Sequence, residues 1–238
     1  MALLNIHTFP DPILKEKALP VVEFDQSLDD ITQSMLETMY VSSGIGLAAI
    51  QVGILKQIIV IDLKSGEQDI SLREPHVFVN PKILKKFGST VSEEGCLSVI
   101  DFRGDIERAE KILVEYQDVK GNIHQIKADE MMSICLQHEI DHLNGILFID
   151  HLPVLKQKMV KKKLTKLAME NARICRRLYI FLLMFFSVLY NRSFIASLSL
   201  RKLIIITPLL QLPQEKKFPL RSLTRSKKEA LDWGSVPL

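Results

Sequence analysis

The stretch His138-Glu139-Ile140-Asp141-His142 lies in a segment that the sequence predicts to be a helix. Two histidines four residues apart lie on one face of a helix and can bind the same divalent metal. The glutamate between them lies next to the metal-bound water, where it can act as a general base. The same three positions also arise by chance on helix surfaces. The stretch therefore predicts a metal-binding helix, and a third ligand is needed to define its class.

Two cysteines compete for the position of third ligand, since the acidic residues downstream, Glu170 and Asp150, are poorly placed. A hydrolytic site needs three protein ligands and an open position. Zincin peptidases usually take a glutamate downstream of the second histidine, but the first one here is Glu170, far along the chain. Cys96 and Cys135 are the alternatives, and spacing alone does not choose between them. A lone cysteine on an apolar helix face is usually a packing residue, which slightly favours Cys96.

The surrounding sequence predicts helices and strands. Helices are expected over residues 27–40, 129–143 and 153–171, and strands over 58–61, 77–79, 112–119 and 123–126. Asn80-Pro81 should end the second strand, because proline cannot donate to a ladder. Lys120-Gly121-Asn122 is a good hairpin signal.

A segment with two glycines, Gly44-Ile45-Gly46-Leu47-Ala48-Ala49-Ile50-Gln51, is a second candidate. Glycines permit a tight backbone path close to a ligand. The segment lacks the third glycine and the preceding strand of a dinucleotide-binding loop, so that class is excluded. Gln51 offers an amide donor. Taken alone, the segment is more simply interpreted as a glycine-flanked turn.

Composition limits the classes further. The chain has 238 residues, a net charge of +3 and 25% charged residues, and this balance indicates no dominant nucleic-acid site. Its three cysteines, an odd and small number, are typical of a reducing compartment. The first residues lack a charged region followed by a long apolar stretch, and they are not rich in arginine and serine. We therefore expect a cytoplasmic protein.

Three motifs occur in order: Gly-x-Gly-Leu-Ala-Ala-x-Gln, then Glu-Gly-Cys-Leu-Ser, then Gln-His-Glu-x-x-Asp-His. Together they resemble the peptide deformylase family, and the similarity covers about residues 3–170. The resemblance implies an α+β fold with antiparallel or mixed sheets around a central metal-binding helix. It also implies an enzyme that removes the N-formyl group from the N-terminal methionine of newly synthesised proteins.

The resemblance implies roles for single residues. The metal ligands would be Cys96, His138 and His142. Glu139 would be the general acid/base on the metal-bound water, while Gln51 and the backbone N–H of Leu97 would stabilise the oxyanion. The peptide and its methionine side chain would be contacted by Ile45, Gly46, Arg103, Met131, Ile134 and Cys135.

The resemblance also implies a cofactor and partners. Fe²⁺ is the expected metal, one per chain, with zinc, nickel or cobalt as substitutes. The expected partners are N-formylmethionyl nascent peptides, met at the ribosome. One departure from the family pattern is Ile100, where proline is common. Two rival functions are a zincin-type peptidase and a non-catalytic paralogue.

Residues 173–238 differ in composition from residues 1–172, which we predict to be the catalytic domain. Residues 178–190 are nearly all apolar, and residues 216–238 are polar with prolines. As a helix the apolar run would be about 20 Å long, too short for a bilayer core of about 30 Å. Weak membrane association, a change of reading frame and an additional core-covering helix remain open. The absence of helical amphipathicity slightly favours the frame change.

Overall fold

The computed structural model describes residues 3–67 and 69–190, and this part of the chain has an α+β fold. Its helices are α1 (Gln26–Val41), α2 (Glu130–Leu143) and α3 (Val154–Tyr190). Its strands are β1 (Gly46–Ala48), β2 (Ile58–Ile61), β3 (His76–Phe87), β4 (Thr90–Cys96), β5 (Val99–Arg108), β6 (Lys111–Gln117) and β7 (Ile123–Asp129). The predicted fold class is confirmed.

The named strands pair in antiparallel fashion throughout. Five of them form one sheet in the order β1-β2-β3-β6-β7, and β4 and β5 form a separate two-stranded ribbon. The hairpin predicted between β6 and β7 is present. Asp118 stabilises its turn by accepting hydrogen bonds from the backbone N–H groups of Lys120 and Asn122, both at 2.9 Å.

The fully buried strand β2 shows how the large sheet is covered. Ile58 and Val60 belong to the apolar cluster that contains the α1 residue Met35. Ile59 and Ile61 belong to the cluster that contains residues of α2. Because alternate residues of a strand point to opposite faces, α1 and α2 cover opposite sides of the sheet. A strand covered on both faces appears in the sequence as a continuous apolar run.

Helix α2 lies at the centre of the fold, and the prediction of this helix is confirmed. Most of its residues are buried, from Ser133 through Glu139. It ends before Gly145, whose φ of 72° is a left-handed conformation that favours glycine. A Cβ on Gly145 would collide with the backbone carbonyl of Lys15, so the end of α2 packs closely on the N-terminal segment.

Strand β3 is longer than predicted. The sequence predicts that Asn80-Pro81 ends it, but β3 continues to Phe87. Asn80 has a φ of 51°, and the pairing of β3 with β6 shifts register between Val79 and Lys82. This irregularity accommodates the proline, which has no N–H to donate. The prediction was wrong because an irregularity inside the strand, rather than a strand end, accommodates Pro81.

The ribbon of β4 and β5 has no counterpart in the sequence prediction. Polar and charged residues dominate both strands, and much of β4 alternates between half-buried and exposed positions. The ribbon packs through Val99 and Ile106 against Leu147 and Phe148, which follow α2. It therefore presents the turn between β4 and β5 to the end of the central helix.

Helix α3 begins as predicted but extends past the expected end near residue 171. That prediction was wrong because no glycine or proline follows until Pro208. The chain divides into one compact unit that contains Met1–Leu164 and a second that begins at Thr165. Among the described residues no helix has the length and apolar character needed to cross a membrane. The predicted polar stretch 216–238 lies outside the described residues.

Candidate metal centre and active site

Helix α2 places its two histidines on one buried face. His138 and His142 are each 1% exposed, and their ring centroids lie 4.9 Å apart. This proximity follows from the helical repeat, which brings residues i and i+4 together. The ring of Phe148 stacks on His138 with the centroids 5.9 Å apart. Both imidazoles are therefore shielded from solvent, and an aromatic ring covers one face of His138.

Cys96 reaches these histidines from the last position of β4. Its Sγ lies 3.2 Å from Nε2 of His142. One candidate ligand atom from each of Cys96, His138 and His142 lies within 4.8 Å of the other two. Cys135 is not part of this group, and its Sγ instead packs against Gly46. The geometry thus separates the two cysteines that spacing leaves as alternatives.

The orientation of His138 is set by Glu94. A carboxylate only accepts hydrogen bonds, so Nδ1 of His138 donates to Oε2 of Glu94, at 2.8 Å. The proton on Nδ1 leaves a lone pair on Nε2, which is buried and has no hydrogen-bond partner among the described residues. Carboxylates commonly orient metal-binding histidines in this way.

Glu94 is itself held by Arg108. Nε and Nη2 of Arg108 donate to the two carboxylate oxygens at 2.6 and 3.0 Å, and Nη1 donates to Asp141 at 2.6 Å. Burial alone would raise the pKa of Glu94, but the hydrogen bonds from His138 and Arg108 outweigh it and lower that pKa. The ribbon therefore delivers an ionised carboxylate to the metal-binding face.

Glu139 is buried beside the histidines. It is 0% exposed, and neither carboxylate oxygen has a hydrogen-bond partner among the described residues. Burial, followed by repulsion from Glu94, raises the pKa of Glu139 well above the usual carboxyl range. A Cβ on Gly46 would lie 2.6 Å from Oε1 of Glu139. The absence of a side chain at Gly46 thus leaves room for the carboxylate.

Gln51 and Leu97 lie beside the same centre. The side-chain oxygen of Gln51 accepts from the backbone N–H of Ala48 at 2.8 Å. Its Nε2 lies 3.1 Å from Oγ of Ser98 and 3.6 Å from Sγ of Cys96. Leu97 is the first of the two turn residues between β4 and β5, directly after Cys96. The amide of Gln51 is therefore held in place and directed toward the Cys96 side of the centre.

The remaining predicted site residues come from three elements. Ile45 and Gly46 lie at the start of β1, next to α2. Ile134 and Cys135 are buried on α2, while Met131 in its first turn is 37% exposed. Arg103, on β5, runs along Gly95, since a Cβ there would lie 3.5 Å from its Cγ. These residues lie on β1, on α2 and on the ribbon, and their role in substrate binding stays a prediction.

The donor atoms fit a metal ion. Burial lowers the pKa of His142 well below its usual value, so its imidazole is neutral and can ligate. Burial, and then the Glu139 charge, raises the pKa of the Cys96 thiol. A bound cation acts in the opposite direction and ionises a coordinating thiol. One sulfur and two imidazole nitrogens form a donor set typical of zinc, iron, nickel or cobalt.

Comparison with known proteins gives the same picture. The family model described as Polypeptide deformylase matches residues 3–158. A peptide deformylase from Mesorhizobium japonicum is 47% identical over 173 residues, which covers 72% of this chain and 97% of that protein. The chain belongs to the peptide deformylase family.

Solved structures of the family agree with the fold. A peptide deformylase from Legionella pneumophila is 41% identical with a TM-score of 0.65, over 72% of this chain and 99% of that one. A peptide deformylase from Synechococcus elongatus, solved in complex with actinonin, is 41% identical with a TM-score of 0.63, over 67% of this chain and 86% of that one. The family model stops at residue 158, before the unit that begins at Thr165.

The prediction from sequence assigns no role to three residues that position the side chains of the site. Glu94 hydrogen-bonds His138, and Arg108 holds Glu94. Ser98 hydrogen-bonds Gln51. Glu94 lies within the second motif, two residues before Cys96, and this position could have indicated a carboxylate close to the metal ligands. Arg108 has no local signal, because its link to Asp141 spans 33 residues of sequence.

Proposed function

We propose that this enzyme removes the formyl group from the N-terminal methionine of newly made peptides, with Glu139 as its general acid/base. The observation that carries the proposal is the convergence of Cys96, His138 and His142 beside a buried Glu139. Membership of the peptide deformylase family supports the same reaction. Two elements must fold together to assemble this group, which argues against a chance pattern on a helix surface.

Cys96, His138 and His142 would hold a single Fe²⁺. The unpartnered Nε2 of His138 and the neutral His142 support this ligand set. When bound, a metal of this kind supplies a Lewis acid that polarises a carbonyl oxygen and lowers the pKa of water. Zinc, nickel or cobalt would fit the same donors. Metal analysis of protein purified without oxygen tests the assignment of iron, and a different metal at one per chain would overturn it.

Glu139 would move the proton during hydrolysis. Its carboxylate takes a proton from the water that attacks the formyl carbon and later delivers it to the departing amine. Burial raises the pKa of this carboxyl group, which makes the carboxylate a stronger proton acceptor than an exposed one. The absence of a side chain at Gly46 lets this carboxylate lie close to β1.

Gln51 and the backbone N–H of Leu97 would stabilise the negative oxygen that develops on the formyl group. Preorganised donors at this position cost no reorganisation during the reaction. Ala48 and Ser98 fix the Gln51 amide, and its Nε2 also faces Cys96. The tight turn after Cys96 fixes the Leu97 backbone.

The peptide would bind along β1 and in an apolar pocket beside α2. Gly46 would contact the bound peptide. The methionine side chain would enter a pocket whose lining is implied by the family resemblance: Ile45, Arg103, Met131, Ile134, Cys135 and His138. Formyl is the smallest acyl group, so a confined space beside the metal ligands would exclude larger amides.

The substrate defines the proposed place of action. Nascent peptides emerge from ribosomes in the cytoplasm, so we place the enzyme there. The free thiols of Cys96 and Cys135 are consistent with a reducing compartment.

Turnover of formyl-Met-Ala-Ser by the iron-loaded enzyme tests the proposal. The expected result is release of formate, with little release of acetate from acetyl-Met-Ala-Ser and no cleavage of the unformylated peptide. Actinonin should inhibit, as the Synechococcus elongatus complex suggests. Cleavage of internal bonds would support the zincin-type peptidase. Binding of the formylated peptide without formate release would support a non-catalytic paralogue.

A further inference from the structure

The second half of α3 exposes an apolar run that surrounds the helix. Residues 178–183 are Leu-Tyr-Ile-Phe-Leu-Leu, and each is between 40% and 66% exposed. Successive residues of an α-helix are rotated by about 100°, so six of them face every direction around the axis. A helix that is apolar on all sides is normally covered by protein or lipid. This run therefore needs a partner.

Basic residues precede the run. Arg173, Arg176 and Arg177 occupy the two turns before it, and they form no ion pair with an acidic side chain among the described residues. The neighbouring Lys166 lies 3.8 Å from Glu170, in an exposed pair of little strength. The partner must therefore accept three uncompensated positive charges beside a strongly apolar surface.

We propose that residues 165–183 of α3 bind the surface of an anionic phospholipid bilayer. The arginines would contact the lipid headgroups, and the apolar run would enter the boundary between headgroups and acyl chains. Tyr179 has the amphipathic ring that this boundary favours. The apolar sequence ends near Tyr190, where α3 also ends, so it is about 20 Å long and cannot span a core of about 30 Å.

The apolar run favours lipid over nucleic acid. Proteins contact nucleic-acid backbones mostly through polar and charged groups. Residues 178–183 would remain in water beside a bound RNA, because four of them are aliphatic and the run is apolar on every side. An anionic bilayer offers negative headgroups to the arginines and an apolar interior to residues 178–183. The segment lies beyond residues 3–158, which the family model matches, and it contributes no residue to the candidate metal centre.

Flotation of the full-length protein with vesicles tests the proposal. One set of vesicles contains phosphatidylcholine alone, and the other an equimolar mixture with phosphatidylglycerol. We expect binding to the mixed vesicles and at least about tenfold weaker binding to phosphatidylcholine, since anionic lipid attracts each basic residue. Two triple variants should lose binding: Arg173→Gln with Arg176→Gln and Arg177→Gln, and Ile180→Gln with Phe181→Gln and Leu182→Gln.

A matched control removes three exposed charges elsewhere on α3, through Lys156→Gln, Lys158→Gln and Lys162→Gln. It should retain binding to the mixed vesicles, and all variants should retain deformylation. Equal loss in this control, or full binding by the apolar variant, would overturn the proposal in favour of nonspecific charge attraction. Binding to duplex RNA in preference to vesicles would indicate a nucleic-acid contact. Self-association without lipid, lost only in the apolar variant, would indicate that a second copy covers the run.

Discussion

At the scale of single residues, the site depends on side chains that only position the proposed ligands. His138 offers Nε2 to a metal because Glu94 accepts the proton-bearing Nδ1. Glu94 remains ionised although it is buried, because Arg108 occupies both of its oxygens. A buried charge is tolerated only when it is paired and hydrogen-bonded in this way. The ribbon and α2 are therefore linked through charged groups as well as through the proposed metal.

The two buried cysteines make opposite predictions for metal binding. Cys96→Ala should lose most of the bound metal, because its Sγ lies 3.2 Å from His142 Nε2. Cys135→Ala should keep the metal and mainly weaken substrate binding. Metal content per chain after exhaustive dialysis measures both. If the metal content falls in Cys135→Ala and is unchanged in Cys96→Ala, the proposed ligand set is incorrect.

Gly46→Ala should reduce turnover per folded molecule. Gly46 does not have a positive φ, so alanine fits the backbone, but its Cβ would lie 2.6 Å from Oε1 of Glu139 and 2.9 Å from Sγ of Cys135. Displacement of the carboxylate by a few tenths of an ångström to 1 Å should lower kcat by up to about 10²-fold. Steady-state kinetics with formyl-Met-Ala-Ser measures the effect.

Gly145→Ala provides the contrast. Its φ of 72° and its contact with Lys15 make alanine strained there, so the Tm should fall while kcat per folded molecule stays near that of the wild type. Wild-type kinetics in Gly46→Ala would show that Glu139 does not need the room that Gly46 provides.

At the scale of elements, the sequence predicts those helices and hairpins whose ends are set by neighbouring residues, such as a capping side chain or a turn sequence. The helix over Gln26–Val41 has an N-cap at Asp25, which accepts from the backbone N–H of Ser27, and its apolar spacing is regular. The β6–β7 hairpin is predicted by its turn residues, Lys120-Gly121-Asn122. The β4–β5 ribbon has no such turn signal. It is stabilised instead by residues distant in sequence, such as Phe148, and these contacts are not visible in a local pattern. The motifs predict the site residues, whereas the Arg108 contacts require the folded chain.

The start of α3 is fixed by Asp150, which gives a prediction for acid stability. Burial raises the pKa of Asp150, but hydrogen bonds from Lys15 and Lys161 outweigh it and lower that pKa. A carboxyl with a lowered folded-state pKa stabilises the protein above its unfolded pKa of about 3.9, and this stability is lost as pH falls through the folded value. Asp150→Asn should therefore lower the free energy of unfolding by on the order of 1 kcal/mol at pH 7.

The difference in the free energy of unfolding between wild type and Asp150→Asn should become smaller as pH falls below about 4. Urea unfolding at a series of pH values measures it. A difference that stays constant from pH 7 to below pH 3 would show that the Asp150 charge does not stabilise this region.

At the scale of the whole molecule, we propose that residues 1–172 suffice for catalysis. Val160 and Leu164, each 7% exposed, are the last buried residues of α3 among the side chains that the structure describes. Truncation after Ala172 should therefore leave turnover and Tm unchanged and abolish vesicle binding. Truncation after Lys156 removes both buried residues and should lower the Tm. A large fall in turnover and Tm after the first truncation would show that the remainder belongs to the catalytic fold.

The central claim is that Glu139 transfers the proton beside the metal centre without being one of the metal ligands. The most direct test is formate release from formyl-Met-Ala-Ser by metal-replete Glu139→Gln, with metal content measured on the same sample. The carboxylate is buried beside the ligands without bonding to them, so the variant should keep one metal per chain. Its turnover should fall by about 10²–10⁴-fold, as is typical when a general acid/base is removed. Wild-type turnover in a metal-replete variant would contradict the account.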